Sequence, residues 1–144
     1  MTRFSTLMIF IALATGCGHV ATVAEQRDAY ACWAKADPKS ANRDFWNDAC
    51  LEDYWRAVEE LRSSVCESDS DCGLMFLPSP LEGAFVAASK KKVDNDYRQV
   101  EDEVHKNCGY IDMYISKRPT PHCIDGHCAL RGDPDLSKFP SCKP

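Results

Sequence analysis

The chain contains no apolar run long enough to cross a membrane. Its most apolar stretch, Leu7 to Ala14 (LMIFIALA), falls far short of the about 20 apolar residues that a spanning helix needs. Positive charge is also scarce. Lys and Arg number 17 against 22 Asp and Glu, a net charge of −5, and this balance argues against nucleic-acid binding through phosphate contacts, which requires a basic face. The one basic run, Lys90 to Lys92, is followed by Asp94 and Asp96 and reads as a solvated helix face. Catalytic signatures are missing too. No two cysteines have the C-x-x-C spacing of a thioredoxin-like redox centre, there is no C-x-x-C-H for haem attachment, and no G-x-S-x-G marks a serine nucleophile. His105 lies among charged neighbours, and Glu59 and Glu60 read as ordinary helix surface, so nothing pairs acids and bases for catalysis. The expectation is a protein that is not an enzyme and carries no cofactor.

What the chain has in abundance is cysteine, nine in 144 residues. That length suits one domain. Arg3, the apolar run and the small residues after it have the form of an export signal. The run ends in LATGC, Leu13 to Cys17, which resembles the lipobox of bacterial lipoproteins, with Ala14 where leucine is usual. The resemblance implies that residues 1–16 are a signal peptide and that Cys17 is lipidated, for example with palmitate. Residues 17–26 would then be a tether and 27–144 a single disulfide-rich domain. Because Gly18 rather than aspartate follows Cys17, the same resemblance implies the outer membrane where the host has two membranes. Ordinary cleavage after Thr22–Ala24 (TVA) would instead release a secreted protein.

With Cys17 set aside, Cys32, Cys50, Cys66, Cys72, Cys108, Cys123, Cys128 and Cys142 form an even set, which in an exported chain reads as a disulfide framework. The expected helices are Glu25 to Ala36, Arg43 to Cys66 and a run from Ser89 to Cys108. In the second, Trp46, Cys50, Tyr54, Ala57, Leu61 and Val65 recur at helical spacing, with Ser40 or Asn42 as a possible cap. Facing helices would pair Cys32 with Cys50. Phe45 and Trp55 fall off that apolar stripe and are therefore the expected partner-binding residues. Gly73 to Pro78 has strand length, PSPLEGA follows as a turn, and Ser79 to Glu82 also has the form of a capping box. Tyr110 to Ile115 is a further apolar run, and Asp125-Gly126 is a hairpin turn within His122 to Leu130. The last fifteen residues read as a loose tail pinned by Cys142. The expected fold is α+β, a small disulfide-stapled domain with an N-terminal helical hairpin, one further long helix and a small antiparallel sheet.

Three constellations could carry chemistry. The stretch CESDSDC, Cys66 to Cys72, places Glu67, Asp69 and Asp71 between two cysteines, but neither frame puts glycine at the sixth and glutamate at the twelfth position of a calcium loop. A turn whose carboxylates accept backbone N–H groups is the expectation. HCIDGHC offers His122 and His127 for a metal, without the usual paired spacings, and oxidation of Cys123 and Cys128 would compete with it. SKRPTPHC, Ser116 to Cys123, is a rigid basic loop of the kind that disulfide-framed protease inhibitors present, with Lys117 available and Arg118 followed by proline. From Cys66 to Leu130 the order C-x-x-D-x-D-C, helix, C, then C-x-x-G-x-C resembles small cysteine-rich exported proteins and lipoproteins of bacteria. That resemblance implies a compartment and a fold, not an activity. The functional expectation is a membrane-anchored binding or structural module of the cell envelope, partnered by the membrane and an envelope protein.

Overall fold

A computed structural model describes residues 20–81, 85–109, 117–131 and 135–140. Helix α1 (Val23–Ala36) starts where Thr22 Oγ1 accepts from Glu25 N–H at 3.2 Å while the Glu25 carboxylate accepts from Thr22 N–H at 2.7 Å. This reciprocal pair occupies two of the donors that a helix start leaves open. Ala21 is buried, and its carbonyl accepts from the buried Gln26 side chain at 3.1 Å. The body therefore begins inside the stretch expected to be tether.

Helix α2 (Asp48–Arg62) is shorter at both ends than the periodicity suggests. Asn42 adopts a positive φ of 48°, which interrupts a right-handed helix, and Asn47 rather than Ser40 or Asn42 caps the start by accepting from Cys50 N–H at 3.0 Å. At the far end the Ser63 and Ser64 hydroxyls donate to the carbonyls of Glu60 and Leu61. The stripe from Trp46 to Leu61 is buried as expected, whereas Val65, beyond the stop, is 74% exposed.

Strands β1 (Cys72–Phe76) and β2 (Phe85–Ser89) pair antiparallel with Met75 opposite Val86. Among the described residues the capping-box form at Ser79 starts no helix, since Pro80 and Leu81 lie in a turn. Ser79 Oγ accepts from Leu81 N–H at 3.1 Å in a local turn, and the chain then enters β2, which the sequence reading did not anticipate. Side chains alternate across a strand, so Val86 and Ala88 join the helical core while Ala87 faces a second cluster. Helix α3 (Lys90–Cys108) is capped by Ser89 Oγ, buries Val100, Val104 and Cys108, and stops at Gly109, whose φ is +65°.

Strands β3 (His122–Ile124) and β4 (His127–Ala129) form the expected hairpin. Asp125 and Gly126 both take positive φ, 52° and 78°, as a tight two-residue turn requires. Cys66 N–H donates to Gly126 O at 2.9 Å, which ties the hairpin to the segment after α2. Leu136 and Phe139 pack back on the main core, with the Phe139 ring 5.1 Å from that of Trp33, so this part of the expected loose tail is attached. The run Tyr110 to Ile115 and Cys142 lie outside the described residues.

The described residues thus form an α+β domain of three helices and two small antiparallel sheets, stapled by disulfides. The bridges are Cys50–Cys108, Cys66–Cys123 and Cys72–Cys128. The expected Cys32–Cys50 pair is therefore incorrect. Cys50 sits on the face of α2 that meets α3, and its partner comes from there. Cys32 is itself disulfide-bonded, but not to Cys50.

Candidate functional site: a groove between the first two helices

Helix α1 presents Arg27, Tyr30, Ala31, Ala34 and Lys35 along one face, a spacing that keeps them in register on a helix. Helix α2 presents Asp48, Leu51, Glu52 and Trp55, with Arg43 from the preceding turn. Between them runs an open groove of about 560 Å³. The alanines keep one wall low, and Leu51, Tyr30 and Trp55 make the floor apolar.

Most of its polar groups are already engaged. Tyr30 is buried and its hydroxyl donates to Ala41 O at 3.1 Å; burial raises its pKa against the opposing pull of Arg43. The Arg43 guanidinium donates to the Asp48 carboxylate and to Trp46 O. Arg27 pairs with Glu59 at 3.7 Å. Lys35 and Glu52 differ, since both are exposed and neither has an ion-pair partner among the described residues. An apolar floor thus lies between one exposed cation and one exposed anion.

Of the two expected partner-binding residues, Trp55 is only 5% exposed and its ring lies 4.8 Å from that of Tyr54, so it belongs to the core and reaches only the groove floor. Helix α2 carries a second apolar face, Leu51, Trp55 and Val58, which the single stripe concealed. Phe45 is half-buried, edge-on to Trp46, and faces Gly109 rather than the groove. The two rings do not form a shared exposed patch. Tyr30, Ala31, Ala34 and Lys35 were missed, although their spacing within EQRDAYACWAKA could have revealed a second usable face.

The acidic turn behaves as expected. Asp71 accepts from Glu67 N–H and Ser68 N–H at 3.0 and 2.9 Å, and these amides hold its carboxyl below the ordinary carboxylate range. Asp69 reaches across to the hairpin. It accepts from Cys123 N–H at 2.7 Å and lies 2.9 Å from His122 Nδ1, and the Cys123 amide first, then His122, lowers its pKa. Cys123 and Cys128 are disulfide-bonded and so offer no thiolates beside His122, while His127 is exposed on β4. Lys117 is exposed, and the Arg118 guanidinium stands 6.0 Å over the Phe85 ring. His105 Nδ1 lies 2.6 Å from Gly109 O at the end of α3.

No protein-family model, curated protein or solved structure matches the chain. Among the described residues, no helix is long and apolar enough to cross a membrane.

Proposed function

We propose that this protein is a binding module of the bacterial cell envelope, anchored through lipidated Cys17, and that it holds a segment of an envelope protein in the α1–α2 groove without catalysis. The observation that carries the reading is the groove itself, with its apolar floor and with Lys35 and Glu52, which have no ion-pair partner among the described residues, on opposite walls. The bridged cysteines support an oxidising compartment, where such bonds persist. The LATGC segment supports the anchor, and α1 starts only a few residues beyond it, so the groove would lie close to the membrane surface. Acyl chains stabilise such attachment by about 0.8 kcal/mol per buried CH₂.

Cys17→Ser should move the protein from the membrane to the soluble fraction, and retention on the membrane would reject the anchor. For the groove, Ala31→Trp fills the cleft from an exposed position that the core does not use. Affinity capture from the native envelope should recover a partner with the parent protein and lose it with Ala31→Trp and with the Lys35→Glu, Glu52→Lys pair. Equal capture by all three would reject the groove, and robust turnover in a general hydrolase screen would reject the binding reading.

A further inference from the structure

Both bridges at the hairpin join the same two pieces of chain. Cys66 and Cys72 close the ends of the acidic turn, Cys123 and Cys128 face each other across the hairpin, and each bridge runs from turn to hairpin. The Cys66, Cys72 and Cys128 sulfurs all lie within 4.8 Å of one another, although only the last two are bonded together. These three residues are buried, at 6%, 3% and 1% exposure, whereas Cys123 is partly open to solvent. Of the four residues Cys123 is thus the most open to solvent, and Cys66 Sγ, the sulfur that would leave, already lies within 4.8 Å of both sulfurs of the second bridge.

We propose that these two bridges form a disulfide-exchange centre, in which attack by a dithiol at Cys123 frees the hairpin from both. The dithiol's thiolate bonds to Cys123 Sγ, the Cys66–Cys123 bond breaks, and the electron pair leaves on Cys66. The dithiol's second sulfur attacks the mixed disulfide, closing the dithiol's own disulfide and releasing the Cys123 thiolate, which takes a proton. The Cys66 thiolate attacks Cys72 Sγ, forming Cys66–Cys72 and expelling the Cys128 thiolate, which is protonated in turn. One dithiol is oxidised and one protein disulfide is lost. Both hairpin cysteines become thiols because the surviving bridge now lies within the turn.

The test is a brief, stoichiometric treatment of the full-length protein with dithiothreitol at neutral pH, quenched with acid, alkylated and mapped by mass spectrometry. The expected product carries alkylated Cys123 and Cys128, a Cys66–Cys72 bridge and an intact Cys50–Cys108 bridge. Alkylation at Cys66 and Cys123 with Cys72–Cys128 retained, or alkylation at Cys72, would overturn the proposal. A variant with Cys72→Ala and Cys128→Ala should yield thiols at Cys66 and Cys123 alone; the wild-type map decides the question even if that variant fails to fold.

Discussion

Among the described residues, seventeen buried residues from the helices, the β1–β2 sheet and the segments beside them form the main core, whereas the cluster beneath the β3–β4 hairpin has five, three of them cysteines. The helical part buries Tyr54, Trp55, Leu61 and Met75 and is held by their removal from water, at about 25 cal/mol per Å² of apolar surface. The hairpin buries little that is large. Two covalent bonds and the carboxylate of Asp69 hold it instead. Cys50–Cys108 differs from the other bridges in lying within the main core, where it reinforces packing that already exists. At the hairpin, disulfides stand where large apolar side chains are few.

The sharpest way to break this contrast is at Trp55. Trp55→Ala should lower stability by about 3–5 kcal/mol, read as a fall in the urea midpoint, because it empties a core site. A loss near zero would return Trp55 to the surface. Next in size, replacing Cys50 and Cys108 by alanine should cost about 2–4 kcal/mol across the whole fold, since it lifts a constraint on the unfolded chain. Removal of Cys72 and Cys128, which spans a loop of nearly the same length, should cost a similar amount and in addition lower hydrogen-exchange protection in residues 122–130 further than in the helices. Uniform loss would mean that the two clusters unfold as one. Gly126→Ala should cost about 1–2 kcal/mol: a Cβ there meets nothing within 4 Å, so the penalty is the positive φ alone. Differential scanning calorimetry can measure it.

The smallest expected effect is acidity. Asp69 and Asp71 have folded-state pKa values below the ordinary 3.8, so their contribution is complete above 3.8 and is lost as pH falls through the lower folded values. Hairpin amides should lose protection in that window before those of α2, as hydrogen exchange across the range can show. The reverse order would separate the hairpin from its carboxylates.

The sequence displayed α3 clearly, because one face of it is buried and the other solvated, which leaves Val93, Tyr97, Val100 and Val104 at helical spacing. The turn at Asp125-Gly126 was equally plain, since only a few residue types accept positive φ. Strand β2 was not. Its sheet is covered on both faces, so FVAAS shows no alternation of apolar and polar residues, and the short run resembles a turn extension. The ends of α2 were hidden because the apolar repeat continues past Ser63 and Ser64, whose hydroxyls bond to backbone carbonyls of the last turn. The groove was half visible. Aromatic residues drew attention to the two helices that wall the groove, but which ring lies inward depends on where α3 and the sheet pack, and local periodicity does not contain that.

The spans of the three bridges bear on the order in which the chain leaves the ribosome. Cys50, Cys66 and Cys72 precede their partners by 58, 57 and 56 residues. At about 5–20 residues per second, each waits roughly 3–12 s for the correct sulfur. During that wait the only cysteines at hand are wrong ones, above all Cys66 and Cys72 for each other. A nascent chain oxidised as it appears would collect neighbouring pairs and have to undo them. Correct assembly favours a catalyst that reshuffles bonds after Cys128 has emerged over one that only makes them quickly.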